Sequence, residues 1–388
     1  MKLTCTQENL NQGLFVVSHI TSKNINLPIL SNVLLEAKDG VLKLATTNLE
    51  IGITCVVRGK IETEGSFTVQ SKLFSDFIGL LPSDKVEVEV KDQSLVLKCQ
   101  KSKTKIKGQE AAEFPLIPKI NKKEPFVCGV NSFVNAVSQV IFAVSGNETR
   151  PEIGGVFFNF NKNSLVLAAT DSYRLAEKVI ETKKTAKEEA SVIVPTRTLQ
   201  ELLRILSGLK RAKTDTAEAE ENTDNLEIYL GENQILFSFD NIELISRTIE
   251  GQYPNYRQII PTEYKTRFIA EAGAFGKAVK TASLFSKSGV FDVNFEIFKK
   301  DKEAEVSAVN SQTGEGSARF ETEVEGEDNK IVINYRYLLD GLQNIGSEKV
   351  IFEMTNDASP CILRQAREEN GEAKVTSGYL YIIMPIKQ

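Results

Sequence analysis

The sequence lacks the residue patterns that usually support catalysis or metal binding. Its 388 residues include a single histidine, His19, and contain no P-loop, no GxGxxG motif and no cluster of metal-ligand spacing. The Asp171-Ser172-Tyr173 run looks reactive, but no second histidine or lysine partner is implied by its spacing. These absences argue against an enzyme, a metal site and a bound cofactor.

Cysteine usage and hydrophobic runs exclude further classes. The five cysteines are scattered and form no CxxC pair, so neither a disulfide framework nor a zinc site is indicated. The N-terminal segment lacks the apolar core of a signal peptide, and no apolar run approaches the ~18 residues of a membrane span. We therefore expect a cytoplasmic protein with no membrane partner. A net charge of −5 and 41% hydrophobic residues fit ordinary globular domains and leave the distribution of charge open.

The main positive feature is an internal repeat. Residues 28–51 and 151–174 align without a gap, with identities at Pro28/Pro151, Val33/Val156, Leu42/Leu165, Leu44/Leu167, Ala45/Ala168 and Thr47/Thr170. A second block recurs three times, beginning at Val69, Val194 and Ile333. We predict three copies of one domain, at residues 1–121, 122–260 and 261–388. Residues 210–225 interrupt the second copy without an apolar anchor and are predicted to form a mobile loop.

Each copy is predicted to be an α+β unit with two helices and antiparallel hairpins. The first helices are expected at Glu8–Ile20, Asn131–Val144 and Ala272–Phe285. The thrice-repeated block predicts the second helix, because its apolar columns fall at i, i+4 and i+7. These columns are Phe74/Leu199/Leu338, Ile78/Leu203/Leu342 and Leu81/Leu206/Ile345. A carboxylate column of Asp76, Glu201 and Asp340 suits the positive end of the helix dipole.

A basic column recurs on the second helix of every copy. Lys72, Arg197 and Arg336 lie about 200° around the helix from the apolar face, so they are predicted to point away from the core. For any one of them, a solvated helix face is an equally good interpretation. Threefold recurrence favours a shared surface, with Lys23, Lys277, Lys280 and Lys287 as further candidates. Cations arrayed without base-reading groups suit contact with phosphates, independent of nucleic-acid sequence.

Two segments of opposite charge suggest complementary edges. Lys101, Lys103, Lys105 and Lys107 alternate with Ser102, Thr104 and Ile106, as on the two faces of a strand. In the third copy Glu321, Glu323, Glu325 and Glu327 alternate in the same way, with Glu315 upstream. One interpretation is protection of exposed sheet edges. The other is a head-to-tail contact between two copies of the chain, which closes a ring if the rotation permits.

Six motifs on this triple repeat resemble the bacterial DNA polymerase III beta-subunit family, the sliding clamps. They are LPILSNVLLEA from Leu27, LATTNLEI from Leu44, TRPEIGGVFF from Thr149, AATDSYRLA from Ala168, GQYPNYRQIIP from Gly251 and YLYIIMPIK from Tyr379. The resemblance covers essentially the whole chain. It implies three two-helix, double-sheet domains that pair head-to-tail into a six-domain homodimeric ring around duplex DNA.

The resemblance also implies sites and partners. The partner-peptide pocket comprises Arg150, Ile153, Thr170, Ser172, Tyr173, Arg174, Leu175, Pro254, Ile259, Asn334, Tyr337, Ala358, Pro360, Ile382, Met384, Pro385 and Ile386. At the dimer interface, Ile106 beside Lys101, Lys103 and Lys105 meets Leu284 and Phe285 of a partner copy, with Glu315 nearby. The implied partners are the replicative polymerase, an ATP-driven clamp loader and other proteins with clamp-binding motifs. A competing hypothesis is an enzyme or small-molecule binder that uses the interdomain cleft around Asp171 and Arg174.

Overall fold

The computed structural model describes residues 1–21, 27–147, 149–183, 189–209, 225–369, 372–376 and 378–387. The predicted loop at 210–225, except Asn225, and the predicted DNA-facing Lys23 lie outside these ranges. The helices in these ranges are α1 (Gln7–Val17), α2 (Ser71–Gly79), α3 (Val130–Val140), α4 (Thr196–Gly208), α5 (Ala272–Ser283) and α6 (Tyr335–Asn344).

Antiparallel strands make up most of the remaining described chain. In the first third they are β1 (Lys2–Thr6), β2 (Asn32–Lys38), β3 (Val41–Thr47), β4 (Ile51–Val57), β5 (Gly59–Thr63), β6 (Gly65–Gln70), β7 (Lys85–Lys91), β8 (Ser94–Cys99) and β9 (Ser102–Gln109). The central third contains β10 (Phe126–Gly129), β11 (Gly155–Phe160), β12 (Ser164–Thr170), β13 (Arg174–Glu181), β14 (Ala190–Pro195), β15 (Asn225–Leu230), β16 (Gln234–Phe239) and β17 (Ile242–Arg247). The last third contains β18 (Thr266–Glu271), β19 (Asp292–Phe298), β20 (Glu303–Asn310), β21 (Gly314–Glu321), β22 (Glu323–Gly326), β23 (Asn329–Asn334), β24 (Lys349–Met354), β25 (Cys361–Glu369), β26 (Glu372–Val375) and β27 (Tyr379–Ile383).

The chain divides into two compact units that split the central repeat between them. The first unit contains Met1–Val134, Thr182–Glu188 and Arg197–Ile249, and the second contains Asn135–Glu181, Glu189–Thr196 and Glu250–Gln388. The strands follow this division. β10 and β15 to β17 belong to the sheet of the first repeat, whereas β11 to β14 belong to a sheet with strands of the third.

In the first unit, one continuous path of strands runs β10-β15-β16-β17-β4-β3-β2-β6-β9-β8-β7-β1-β5. The strands of two repeats join where β17 pairs with β4, with Ile245 opposite Gly52. Strand β9 pairs with β8 along its length but with β6 through only two residue pairs, at Gln109 and Gly108. A Cβ at Gly108 would lie 2.1 Å from the carbonyl oxygen of Thr68, so only glycine permits this close strand approach.

Helices α1 and α2 bury their apolar faces in the core of the first unit. Thr6 caps α1 by accepting a hydrogen bond from the Asn9 N–H at 3.2 Å. Leu10 and Leu14 of α1 and Phe74 and Ile78 of α2 are completely buried. The predicted apolar columns on α2 therefore face the core.

In the second unit, the strand order is β14-β11-β12-β13-β27-β25-β24-β18-β22, with β26 paired to β25. A separate four-stranded sheet runs β21-β20-β19-β23. The core is rich in phenylalanine: the rings of Phe268, Phe275, Phe295, Phe320 and Phe352 have centroids 4.8 to 6.2 Å apart in nine ring pairs. Helix α5 packs on β20, β21 and α6 above this core.

The structure confirms the α+β class with antiparallel sheets, and it places all six predicted helices. The first-helix predictions extend slightly too far, because Ser18–Ile20 and Ile141–Ala143 are 3₁₀ turns. One apolar column is wrong in α4, where Leu203 is only half-buried while Leu202 and Ile205 are buried. Helix α4 is thus rotated relative to the simple alignment of the three blocks.

The alternating acidic run does not form one edge. Glu321 ends β21, whereas Glu323 and Glu325 lie on β22 in a different sheet. Thr322 between them is buried, and its N–H donates to the carbonyl of Lys302 at 2.9 Å. The prediction of a single acidic strand edge is therefore wrong, because the buried Thr322 separates the two strands.

Candidate functional site

The candidate site in the second unit begins with a tight turn between β12 and β13. The Thr170 hydroxyl accepts a hydrogen bond from the Ser172 N–H at 3.1 Å and donates to the carbonyl of Arg174 at 2.6 Å. Asp171 Oδ1 accepts from the N–H groups of Tyr173 and Arg174, both at 3.0 Å. Ser172 has a φ of 78°, the left-handed conformation that such a turn requires. The turn therefore fixes the directions of the Tyr173 and Arg174 side chains.

Arg174 is the most connected side chain of the site. Its Nε donates to Asp171 Oδ2 at 2.9 Å, its Nη1 to Asp340 Oδ2 at 2.5 Å, and its Nη2 to the carbonyl of Phe142 at 2.9 Å. The guanidinium also lies 4.7 Å from the centroid of the Tyr337 ring. Its side chain is only 11% exposed. Two carboxylates and a ring face thus hold the guanidinium in one orientation.

The electrostatics of this cluster stabilise the charged form of Arg174. Burial alone would lower the pKa of Arg174, but Tyr381, Asp340 and Asp171 together raise it above its usual value. Burial, followed by the nearby Asp171, raises the pKa of the Tyr337 hydroxyl. The site therefore contains a permanent cation beside neutral phenols, which suits binding and orientation rather than proton transfer.

Aromatic rings form one wall of the site. Tyr173 is 63% exposed and stacks on Tyr337, with ring centroids 6.5 Å apart and an interplanar angle of 19°. Asn334 caps α6 by accepting from the Arg336 N–H at 2.9 Å, and the Tyr381 hydroxyl donates to the Tyr337 carbonyl at 2.8 Å. Both contacts fix the start of α6, and with it the Tyr337 ring.

The C-terminal segment supplies half-buried apolar side chains. The N–H of Met384 donates to the carbonyl of Tyr173 at 2.9 Å, and the N–H of Ile386 to the carbonyl of Val332 at 2.8 Å. Met384, Pro385 and Ile386 are all half-buried. The segment is therefore held against the aromatic wall with apolar surface still exposed.

Several predicted pocket residues lie beneath the surface. Ile153, Leu175 and Ile382 are at most 2% exposed, and Thr170 is 7% exposed. Leu175 and Ile382 are paired across β13 and β27, so they form the floor. Since their side chains have almost no free surface, they support the site and do not line it, which corrects their placement in the pocket lining.

The remaining predicted pocket residues lie on the surface. Arg150 donates from Nη1 to the Ser172 hydroxyl at 2.9 Å. Ala358 and Ile386 line one groove. Ile259 is exposed, and Pro254 and Pro360 are half-buried. The observed contacts thus connect Arg174 with Thr170, Tyr173 and Tyr337, and the assignment of the whole set to one pocket stays a prediction.

Sequence reasoning missed the role of the carboxylate column. Asp340 is an ion-pair partner of Arg174, and Glu201 in the first unit accepts from Arg204 at 2.7 Å and contacts His19 Nδ1 at 2.6 Å. Glu201 is only 4% exposed. The signal was present, because the three carboxylates share one column, but the helix dipole alone did not predict their partners.

The candidate basic surface consists of exposed side chains. Lys72, Arg197, Lys277, Lys280, Lys287 and Arg336 are all exposed, as contact with phosphates requires. The guanidinium of Arg336 lies 3.5 Å from the centroid of the Phe291 ring, which restricts its position. Their assignment to DNA remains a prediction.

One residue of the predicted dimer interface, Ile106, is buried in the structure. Ile106 is 5% exposed and faces Leu95 across β8 and β9, so its side chain already belongs to the core. Lys101, Lys103, Lys105, Glu315 and Leu284 are exposed, and Phe285 is half-buried. Two further exposed apolar residues of the first unit are Leu73 on α2 and Leu80 directly after it, at 50% and 87% exposure. Ile106 is therefore corrected from an apolar contact to a core residue.

Other chemistry has no support in the described ranges. They contain no group of three or more histidine, cysteine, aspartate or glutamate side chains placed to hold a metal ion. All five cysteines are buried as free thiols, and burial raises the pKa of Cys5, Cys55, Cys128 and Cys361 to about 12. None of the described helices combines the length and apolar character needed to cross a membrane.

Comparisons with known proteins agree with these observations. Family models of the DNA polymerase III beta subunit match residues 1–118 (N-terminal domain), 129–255 (central domain) and 257–379 (C-terminal domain). The chain is 29% identical to the beta sliding clamp of Synechococcus elongatus, covering 100% of this chain and 99% of that protein. It is 28% identical to the beta sliding clamp of Staphylococcus aureus, covering 97% and 96%.

Solved structures agree with the fold. The DNA polymerase sliding clamp from Bacillus subtilis is 26% identical with a TM-score of 0.88, covering 100% of this chain and 99% of that chain. The DNA polymerase III beta subunit from Thermotoga maritima is 26% identical with a TM-score of 0.86 and the same coverage. These likenesses confirm the resemblance inferred from the motifs and the fold of three tandem two-helix domains.

Proposed function

The chain belongs to the DNA polymerase III beta-subunit family, and from this premise we propose that the Arg174 cluster binds partner peptides while the basic column faces duplex DNA. Members of the family are sliding clamps, non-catalytic processivity factors of DNA replication. This membership replaces the hypothesis of an enzyme with a cleft site. The three domains are proposed at residues 1–121, 122–260 and 261–388.

The peptide pocket rests on one observation, the clustering of Tyr173, Arg174 and Tyr337 beside the half-buried Met384 to Ile386 segment. Apolar surface next to a fixed cation and exposed backbone suits a short peptide with aliphatic and aromatic anchors. Such a pocket tethers the polymerase catalytic subunit and raises its effective concentration at the primer end. The clamp loader and other proteins with clamp-binding motifs use the same pocket.

The ring is the second part of the proposal. Two copies pair head-to-tail, with the lysines near β9 and the exposed Leu73 and Leu80 of one copy meeting Leu284, Phe285 and Glu315 of the other. Lys72, Arg197 and Arg336 then make sequence-independent contacts with phosphates that permit sliding. An ATP-driven loader opens the ring, because the chain has no nucleotide-binding motif.

Deletion of residues 384–388 tests the pocket. The truncated protein is expected to lose binding to the polymerase catalytic subunit, while its mass in solution by light scattering remains that of a dimer. Dissociation into monomers would contradict the assignment of this segment to the pocket.

Retention on DNA tests the ring. The loaded protein is expected to stay on circular DNA and to slip from linear ends, and equal loss from both would overturn the topological mechanism. Lys72, Arg197 and Arg336 changed together to Glu are expected to reduce loading or retention, with the charge reversal Lys38→Glu on β2 as a matched control.

A further inference from the structure

A groove continues from the candidate pocket along the free edge of strand β23. β23 is the last strand of the four-stranded sheet, and its only strand neighbour in the described ranges is β19. A cavity of about 410 Å³ beside it is lined by Val332, Ala358 and Ile386 with Glu296, Lys330 and Asp357. Ala358 and Ile386 are also residues of the candidate pocket, so the groove begins where the pocket ends.

The groove extends further through a second cavity. This one measures about 460 Å³ and shares Glu296, Lys330 and Asp357 with the first. Its far end is lined by Lys265, Glu327, Asp328 and Thr355. Because the two cavities share three residues, they form one path that is long enough for several residues of an extended chain.

The edge of β23 already accepts an extended segment. The carbonyl of Val332 accepts the N–H of Ile386 at 2.8 Å, so this part of the C-terminal segment lies against β23 as an added strand would. Backbone groups of a strand point to the same edge at every second residue. The carbonyl of Lys330 therefore points to the same edge, beyond the reach of that single hydrogen bond.

Charge favours one kind of occupant. The path carries four carboxylates, from Glu296, Glu327, Asp328 and Asp357, against the three ammonium groups of Lys265, Lys330 and Lys387, of which Lys387 lines only the first cavity. Lys265 lies 3.9 Å from Glu327, which leaves a net negative far end. The floor near the pocket is apolar, at Val332, Ala358 and Ile386. A segment with an apolar residue near the pocket and a basic residue beyond it matches this order.

We propose that the residues flanking a bound partner motif continue in extended form along the β23 edge and place a basic side chain among Glu296, Asp328 and Asp357. This inference rests on the proposed peptide pocket and adds to it a second determinant of affinity. Backbone hydrogen bonds to β23 supply binding that depends little on sequence, and the carboxylates select the charge of the flank. Partners with the same short motif thereby differ in affinity through their flanking residues.

Synthetic peptides and the full-length protein test this proposal by fluorescence anisotropy. One peptide contains only six motif residues with aliphatic and aromatic anchors, and the others add Val-Lys-Val-Lys or Val-Glu-Val-Glu at either end. We expect a Lys-containing flank at one end to tighten binding about tenfold, from added hydrogen bonds and ion pairs, and the Glu-containing flank to give no gain. Hydrogen exchange at the Val332 N–H is expected to slow only with the flanked peptide.

Two variants distinguish binding of the flank in the groove from binding of the motif in the pocket. Glu296→Gln with Asp357→Asn is expected to remove most of the gain from the Lys flank and to leave the six-residue peptide unchanged. Glu321→Gln, on the opposite edge strand of the same sheet, serves as the matched control and is expected to change neither. No gain from any flank, or a gain that the double variant retains, would overturn the groove. Failure of the six-residue peptide as well would overturn the pocket itself.

Discussion

The turns at residues 47–51 and 170–174 are built by the same hydrogen bonds. Thr47 accepts from the Leu49 N–H at 3.0 Å and donates to the Ile51 carbonyl at 3.0 Å, as Thr170 does to its own turn. Asn48 Oδ1 accepts from the N–H groups of Glu50 and Ile51 at 3.1 and 2.8 Å, in the role of Asp171. Thr47 and Thr170 are the only identical residues of the two turns, yet both turns have the same pattern of hydrogen bonds.

The two turns differ in the side chain of their last residue. The first ends in Ile51, which is 2% exposed, and the second ends in Arg174, which is ion-paired to Asp171 and Asp340. The left-handed residues are Leu49 and Ser172, with φ values of 76° and 78°. The fold thus repeats one backbone turn, and the proposed site lies where Arg174 stands in place of the apolar Ile51 at the end of that turn.

The residue after each turn reinforces this difference. Gly52 of the first turn faces Ile117, since a Cβ there would lie 2.8 Å from its Cγ2. Ile117 and Ile120 pack on the cluster of Tyr229, Leu236 and Ile245, so the segment after β9 covers that face. In the second turn the corresponding Leu175 is itself the buried floor. The first turn is thus covered by its own chain, and the second keeps a surface around Arg174.

The substitution Ile51→Arg is expected to have the largest effect on stability. It copies the end of the second turn onto the first, but Asn48 is a neutral amide with an NH2 group in place of the second oxygen, so it cannot act as the counter-ion that Asp171 Oδ2 provides. An unpaired buried charge should lower the free energy of unfolding by on the order of 4 kcal/mol. Urea denaturation measures this, with Ile51→Val as a control expected to cost about 1 kcal/mol. An Ile51→Arg protein of normal stability would show that the first turn has room for a charge.

Arg174→Ala is expected to have a smaller effect on stability and a large one on binding. The variant leaves Asp171 and Asp340 without their cation and removes the guanidinium from the Tyr337 ring face, at a cost of about 2 kcal/mol in the free energy of unfolding. Peptide affinity by anisotropy should fall at least about tenfold, since the pocket loses its fixed cation. Arg150→Ala removes an exposed arginine of the same predicted pocket and is the comparison variant, expected to weaken binding only severalfold. Equal losses from the two variants would show that charge, and not the buried cluster, matters.

The sequence predicted the repeated second helices and their exposed basic residues well, because these features depend on local spacing. Helical spacing of apolar residues is a local property, so α2, α4 and α6 and the exposure of Lys72, Arg197 and Arg336 followed from the aligned blocks. The α+β class followed from the same patterns. The proposed pocket residues followed only from the family resemblance, and the structure shows contacts with Arg174 for Thr170 and Tyr337 among them.

The sequence did not predict features that depend on distant partners. The pairing of Arg174 with Asp340 joins residues 166 positions apart, and the burial of Ile106 depends on its register opposite Leu95. The split of the acidic run depends on the buried Thr322. In each case local periodicity identified a face but could not show what tertiary structure places against it.

Thr47→Val and Thr170→Val are expected to lower the free energy of unfolding by about the same amount. Each replaces the threonine by a side chain of similar shape that cannot make the two hydrogen bonds of the hydroxyl. The loss in unfolding free energy should be about 1 kcal/mol for each, measured by urea denaturation. Peptide affinity should fall only for Thr170→Val, because only that turn directs Tyr173 and Arg174. A difference of more than about 1.5 kcal/mol between the two variants would contradict the equivalence of the turns.

The smallest expected effect comes from glycine at the left-handed positions. In Leu49→Gly and Ser172→Gly, relief of the strain at positive φ is offset by the entropy that glycine loses on folding, so stability should change by less than about 0.5 kcal/mol. Ser172→Gly also removes the hydroxyl that Arg150 contacts, which should weaken peptide binding severalfold, whereas Leu49→Gly should leave it unchanged. A large loss of stability in either variant would mean that the side chain holds the turn. The expected near-neutral results in both variants would show that the hydrogen bonds of Thr47, Asn48, Thr170 and Asp171 stabilise the turns. The role of the second turn in binding would then depend on the Tyr173 and Arg174 side chains that these bonds orient.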